Sequence, residues 1–374
     1  MTFQPFAVEQ FLSEMEHGVR FNFSESGVHP MRYGDLVDVA GIDMAALMEA
    51  RADYPQVNGT EALRERIAGL YGARPEEVLV TVGATEANTV AAQALLRPGD
   101  AVVRLVPTYA QLPGVAANGG HEVRDVALGE GWRLDPERLE AAMDDRVRLI
   151  HVVNPNNPTG RAMDAAERAA VLDAAARRGA WVVADEVYAG TEREGNAATP
   201  SFWGEGERVV AINSLSKAYG LPGLRLGWVV APAPVITKMW RRHEYAAIAA
   251  ADLSMRLAEA ALAPAPREAL RARARGLIRR GFEQFHDALA TRPGVFDVVA
   301  PDASAMSFVR YDLPVDSETL ARRLLERRDV LVIPGARFGV EGHFRFSSAL
   351  PEAHLAEGLG RMLAEVDAIR AGEA

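Results

Sequence analysis

Ser214-Leu215-Ser216-Lys217-Ala218-Tyr219-Gly220-Leu221-Pro222-Gly223-Leu224-Arg225-Leu226-Gly227-Trp228 joins two apolar runs, 208–212 and 227–231, through a loop of hydroxyls, glycines and one lysine. Those runs belong to a series of short β-rich stretches that also includes 78–81, 101–105, 149–153 and 181–184. Alanine-rich helical patterns, such as 85–96 and 164–178, lie between several of them. Strands that are apolar throughout are buried on both faces. Their alternation with helices predicts an α/β fold with three α/β/α layers around a mostly parallel sheet. Ligands of such sheets bind beyond the carboxyl ends of the strands, so polar residues directly after the runs carry the most weight.

The pattern changes after about residue 242. A long Arg- and Ala-rich helical stretch at 270–290 leads to short strands near 305–311, 330–333 and 343–347. Two domains are therefore expected. Residues 45–245 form the large one, and 1–44 together with 246–374 form a smaller α+β domain. Residues 370–374 read as a tail. A chain of 374 residues with 49% apolar content can bury a core of that size.

Net charge of −10 argues against nucleic acid as a partner. The chain has no cysteine, which excludes disulfides, thiolate catalysis and cysteine-ligated metals; no metal is expected. No uninterrupted apolar stretch reaches the roughly 18 residues of a membrane span. The first eleven residues hold one acid, Glu9, and no basic leader segment, so a cytoplasmic location is expected.

Four segments carry chemistry. In the first, Lys217 follows a strand and stands among Ser214, Ser216 and Gly220, with Arg225 eight residues on. A lysine that is desolvated or near other cations loses its proton readily and can form an imine, and an arginine can grip a phosphate bidentately. Lys217 and Lys238 are the only lysines of the chain, and by itself Lys217 could as well be a surface residue. In the second, Asn154-Pro155-Asn156-Asn157-Pro158-Thr159-Gly160 fixes a rigid turn at a strand end. The third, Asp185-Glu186-Val187-Tyr188, puts a carboxylate after a strand, where it can cap a helix or face a protonated ring nitrogen. In the fourth, Val82-Gly83-Ala84-Thr85 opens a helix whose exposed N–H groups suit an anion.

In this order and spacing the segments resemble the aspartate-aminotransferase superfamily of pyridoxal-phosphate (PLP) enzymes, fold type I, aminotransferase class I/II. The likeness spans nearly the whole chain. It implies that Lys217 would be the Schiff-base lysine and proton shuttle, and that Asp185 would pair with the pyridine nitrogen. Asn157 and Tyr188 would bond the phenolic oxygen of the ring, with Asn157 also facing the substrate. Gly83, Ala84, Thr85, Ser214, Ser216 and Arg225 would hold the phosphate, and Tyr109 would stack on the ring. Arg345, in Phe344-Arg345-Phe346, would take the substrate α-carboxylate. Tyr54 matches the tyrosine that reaches a neighbouring subunit's phosphate, which implies a homodimer with shared sites.

The N-terminal stretch Ser26-Gly27-Val28-His29, with Gly34-Asp35-Leu36 after it, resembles that of capreomycidine synthases, PLP enzymes that eliminate and cyclise a hydroxylated arginine. The resemblance sets Gly27 near the substrate carboxylate. Glu14, Glu16 and Glu25 are candidates to meet a guanidinium, and His29 is a candidate acid or base. The Asp185-Glu186-Val187-Tyr188 sequence is that of ordinary transaminases. Transfer from an L-amino acid with a neutral or cationic side chain to a keto acid is therefore the first expectation. A cyclase, lyase or oxidase acting on arginine or hydroxyarginine is the second. A non-catalytic PLP-binding sensor is remote, because there is no room for a DNA-binding module.

Overall fold

The computed structural model describes residues 3–373. Its strands are β1 (Phe21–Asn22), β2 (Val78–Thr81), β3 (Ala101–Val106), β4 (Glu122–Ala127), β5 (Val147–Val153), β6 (Trp181–Asp185), β7 (Val209–Ser214), β8 (Gly227–Val230), β9 (Phe296–Val298), β10 (Met306–Tyr311), β11 (Val330–Leu331), β12 (Ile333–Pro334) and β13 (His343–Ser347). Seven of them form one sheet in the order β2-β8-β7-β6-β5-β3-β4. Only β8 runs against its neighbours; the other pairs are parallel.

Side chains alternate across this sheet, and each face is apolar. Val102, Leu149, Val183 and Val210 pack under the helices Gly83–Leu95 and Ala233–Ala246. Val103, Ile150, Val182 and Val209 face the helix Ala165–Arg178 on the other side. The three-layer α/β/α arrangement expected from the apolar runs is thus present. The runs missed β4, whose Glu122, Arg124 and Asp125 break any apolar pattern. An edge strand has a single neighbour and can stay wet, and Asp125 there accepts Arg104 of β3 at 2.6 Å.

A second, antiparallel sheet has the order β12-β13-β10-β9, and β1 pairs β11 in parallel beside it. The run expected at 330–333 therefore splits between two partners. Phe21, Phe23, Phe285, Phe308, Phe344 and Phe346 build the core here, together with Val8 and Phe11 of the N-terminal helix Ala7–Met15. The boundary expected near residue 245 does not divide the packing. Leu36, Met255, Leu257 and Leu270 join Leu63 and Trp228 in one cluster against the large sheet. Arg370, expected in a tail, ends the helix Glu352–Arg370, whose Val366 and Ile369 are buried; Ala374 lies outside the described residues. No described helix is long and apolar enough to cross a membrane.

Gly281, in the long helix Pro264–Ala290, packs against the backbone just after β13. A Cβ there would come within 1.9 Å of the Ser348 carbonyl oxygen. Ala ordinarily stabilises a helix interior by up to about 1 kcal/mol over Gly. Here a backbone carbonyl must give way, and overpacking costs about 1–3 kcal/mol. Gly281→Ala is expected to lower the unfolding free energy; a rise in the denaturation midpoint would contradict this account of the packing.

Candidate active site

The carboxyl ends of the parallel strands face the second sheet across a cavity of about 330 Å³. Each strand end delivers one polar residue to it. Asp185 is the last residue of β6 and Ser214 the last of β7. Asn157 comes from the loop after β5, and Lys217 from the loop between β7 and β8. Arg345 arrives from the other side, in the middle of β13.

Arg345 is 1% exposed, and Asn157 ties it to the large sheet. Its Nη1 donates to Asn157 Oδ1 at 2.9 Å, and its Nη2 donates to the Ser24 carbonyl. Asn157 Nδ2 donates in turn to the Tyr188 hydroxyl at 3.2 Å. The Arg345 Nε, buried, has no hydrogen-bond partner among the described residues. Burial depresses the Arg345 pKa, countered first by Tyr188 and then by Glu25 and Glu9. A desolvated guanidinium with an unfilled donor at the wall of a cavity suits an anionic ligand group.

Asp185 is buried and has no cationic hydrogen-bond partner. Asn88 Nδ2 donates to its Oδ2 at 2.8 Å, and the Val187 N–H donates to its Oδ1 at 3.3 Å. No helix follows it, so it is not a cap; 187–190 form a turn. Burial pushes its pKa up to about 6, against the lowering by Asn88, Val187 and Lys217. Lys217 Nζ donates to Ser26 Oγ at 2.7 Å. Its pKa is depressed by desolvation, with Glu25 opposing and Arg345 adding to the fall. This is the direction that makes an amine nucleophilic near neutral pH. Tyr188 is pushed up to about 12 by burial, so its hydroxyl stays protonated.

The phosphate-sized end of the cavity is shaped by glycines. Gly83 has φ +74°, and a Cβ on it would meet Arg225 Nη2 at 2.6 Å. A Cβ on Gly227 would strike the Gly83 carbonyl carbon at 2.5 Å and Ala84 N at 2.6 Å. The helix that opens here exposes its first N–H groups. Arg225 is exposed, has φ 47°, and makes no ion pair among the described residues; the one hydrogen bond of its guanidinium goes to the Pro222 carbonyl. Ser214, Ser216, Ala84 and Thr85 line the same end. Val153, Val187 and Tyr188 pack with Tyr109 into an apolar patch for a flat ring. An anion cradle, an apolar slot, a buried carboxylate without a cation and a desolvated lysine together fit a pyridoxal phosphate.

The family model "Aminotransferase class I and II" matches residues 35–362. This chain belongs to that family. As a class I and II aminotransferase it uses pyridoxal 5′-phosphate. It is 32% identical over 366 residues to capreomycidine synthase of Streptomyces vinaceus, covering 96% of this chain and 93% of the relative. Arginine–pyruvate transaminase of Pseudomonas aeruginosa is 31% identical over 339 residues, 86% of this chain and 84% of the relative. The crystal structure of a PLP-dependent aminotransferase from Streptococcus suis superposes with a TM-score of 0.93 at 28% identity, covering 99% of both chains.

Several expected residues lie elsewhere. His29 is exposed and off the cavity wall, because Val28 beside it is buried and its own N–H is held by the Ala349 carbonyl at 2.9 Å. Its carbonyl accepts from Arg273, and burial and Arg273 pull its pKa down. Glu14 points away and accepts from Gln10 at 3.1 Å. Tyr54, expected at the phosphate of a second copy rather than at this one, is 88% exposed. Gly27 sits beside Lys217: a Cβ on it would lie 3.6 Å from Lys217 Cδ. Glu16 and Glu25 do line the cavity. Sequence reasoning gave no role to Ser26 and did not single out Asn88 or Glu9. Asn88 left a signal, as a polar residue on the buried face of an alanine-rich helix; Glu9 left none.

The raised Asp185 pKa has a thermodynamic consequence for the cofactor-free protein. Folding favours the protonated acid, so its penalty is absent below the unfolded value near 3.8 and fully present above about 6. Asp185→Asn should therefore stabilise the cofactor-free protein by about 1–3 kcal/mol at pH 8. The gain should shrink toward zero as the pH approaches 4. Paired chemical denaturation curves across this range check it; a gain that does not vary with pH contradicts burial as the cause.

Proposed function

We propose that this aminotransferase transfers the amino group of an L-amino acid with a neutral or cationic side chain to a keto acid. The inventory of charge in the cavity carries the substrate class. Its wall holds three cations, Lys217, Arg225 and Arg345. Lys217 reacts, Arg225 faces the phosphate end, and Arg345 with its unfilled Nε takes the α-carboxylate. No cation is left for a second carboxylate on the substrate, while Glu9, Glu16 and Glu25 add negative charge.

The bound cofactor acts as an electron sink that makes the Cα–H of the amino acid acidic. In the proposed assignment Asp185, ionised by a cationic ring nitrogen, keeps that sink charged, and Asn88 and the Val187 N–H hold the carboxylate in line. Tyr188 and Asn157 would hold the phenolic oxygen. Tyr109, Val153 and Val187 would fix the ring plane. Gly83, Ala84, Thr85, Ser214, Ser216 and Arg225 would hold the phosphate. Arg345, fixed by Asn157 and Ser24, sets the substrate so that its Cα–H faces Lys217. With a depressed pKa, the free amine of Lys217 takes this proton and returns it, as a general base and then a general acid. Tyr54 would complete the phosphate site of a second copy in a homodimer, a reading supported by its exposure and by the exposed Met48, Tyr245 and Ile248. A cytoplasmic location belongs to the same reading.

The likeness to capreomycidine synthase supports a second reading, in which the carbanion ends in elimination or cyclisation. A mass-spectrometric screen of amino acids, with and without pyruvate or 2-oxoglutarate, separates the two. Transamination predicts keto-acid-dependent products and a change in cofactor absorbance on adding the donor. A cyclic or deaminated product formed with no keto acid consumed would favour the second reading. Arg345→Ala should raise KM for the amino acid roughly ten- to hundredfold, the worth of a charge-assisted hydrogen bond. Lys217→Ala should abolish turnover and the imine absorbance; turnover retained would remove Lys217 from its role.

A further inference from the structure

The helix Gly83–Leu95 starts without a polar side chain to cap it, since its N-cap is Val82. Its first N–H groups therefore need partners from outside the helix, and a phosphate can serve. The Val82 N–H itself is taken by Glu86 Oε2 at 2.6 Å. Glu86 stands in the first turn, where the helix dipole favours an anion. A phosphate monoester brings roughly −1.5 to −2 charge of its own at neutral pH. Two anions thus compete for one helix end, and like charges this close repel.

His243 answers that charge. It lies in the last turn of the helix Ala233–Ala246, whose Val235, Ile236 and Met239 pack with Ala87, Val90 and Ala91 of the phosphate-end helix. The ring is 0% exposed. Its Nδ1 lies 2.8 Å from Glu86 Oε1, and its Nε2 lies 3.0 Å from the Val57 carbonyl oxygen. A carbonyl and a carboxylate both accept, so the two contacts need two protons. Either the ring carries both and faces a carboxylate, or Nε2 carries one and the Glu86 acid the other. The pair is electrically neutral in both cases. The backbone is braced as well: the Asn58 carbonyl, next to Val57, accepts from the Val80 N–H of β2 at 3.1 Å. The strand-to-helix turn is thereby held from both of its sides.

We propose that His243 is a positioning residue for the cofactor phosphate: it neutralises Glu86 and aims the turn from Val82 to Thr85, which leaves the helix end free for the ligand. It rests on the reading of this helix end, with Arg225, as the phosphate site. His243 acts through Glu86 and leaves the proton transfers to Lys217. Charge and contact can be separated here. A glutamine at position 86 keeps every bond, because its amide oxygen accepts from the Val82 N–H and its amide nitrogen donates to Nδ1 of a neutral ring. A glutamine at position 243 instead leaves Glu86 ionised with no countercharge.

The test titrates two ligands into the full-length protein stripped of cofactor, followed by imine absorbance: pyridoxal 5′-phosphate, and pyridoxal, which lacks the phosphate. His243→Gln should weaken PLP binding at least roughly tenfold and change pyridoxal binding by less than about twofold. Glu86→Gln should hold PLP within about threefold of the wild type. The double variant His243→Gln, Glu86→Gln carries no uncompensated charge and should recover PLP affinity to within about threefold of the wild type. In the holoenzyme, the phosphorus NMR resonance of the bound phosphate should move in His243→Gln and return in the double variant. Equal loss of both ligands in His243→Gln marks a merely structural histidine and overturns the proposal. A double variant weaker than the single one overturns it too. If His243→Gln does not fold, His243→Asn replaces it with the same expected outcomes. Arg225→Ala tests the underlying reading and should weaken PLP while sparing pyridoxal. PLP binding untouched by Arg225→Ala removes the phosphate assignment and the role of His243 with it. Weaker PLP in Arg225→Ala with no loss in His243→Gln removes the role of His243 alone.

Discussion

The side-chain amide of Asn157 has to satisfy groups from two sheets at once. Its oxygen accepts from Arg345 of β13, and its nitrogen donates to Tyr188 beyond β6. The residues it links are 188 and 31 positions away in sequence. Both bonds are buried, so each lost partner would leave a polar group without water. The amide therefore fixes the distance between the carboxylate anchor of the small sheet and the ring site of the large one. The rigid turn that carries it, Asn154 to Gly160, is itself held by the 2.9 Å bond from the Asn154 N–H to the Asp185 carbonyl. Asn157 and Asp185 are thus placed relative to one another by backbone, and Arg345 is placed against them by its side-chain bond to Asn157.

Around this frame the charges are arranged to be incomplete. Asp185 is buried against neutral donors, Arg345 keeps a free Nε, and Lys217 is desolvated against Ser26. Each group is costly alone, and each is satisfied by a part of the ligand: a cationic ring nitrogen, an α-carboxylate, an imine carbon. Functional sites concentrate such local deficits. The cofactor and substrate then contribute stability as well as chemistry, because they bind only the folded arrangement.

The sheet could be read from the sequence because both of its faces are buried, so its strands are nearly continuous apolar runs. Those runs located β2, β3, β5, β6, β7 and β8 to within a few residues. Edge strand β4 was invisible for the converse reason: Glu122, Arg124 and Asp125 stay at the surface. The cofactor end of the site could also be read, since Lys217 and Asn157 sit in loops after strands, and Asp185 and Gly83 stand at the ends of a strand and a helix, where backbone geometry restricts composition. The substrate end could not. Glu9 and Glu16 come from an ordinary amphipathic helix, and nothing local distinguishes them from Glu14, which faces away. His29 was misplaced because the decision between inside and outside turned on its neighbour, Val28, filling a core. Asn88 acts through a contact 97 residues distant, which no local pattern encodes.

The parallel pairing of β1 with β11 joins Phe21 to Val330. Phe21 therefore waits for a partner that is translated much later. The strands of the large sheet all lie between Val78 and Val230, yet one of its faces is covered in part by Leu36, Met255, Leu257 and Leu270. The N-terminal helix, whose Val8 and Phe11 need the same late core, docks last. A ribosome-bound chain that stops short of β11 would carry the lysine, the phosphate cradle and the ring slot without a roof. The catalytic pocket gains its roof only when the helix Ala7–Met15 meets the core that Val330, Leu331 and Phe346 complete.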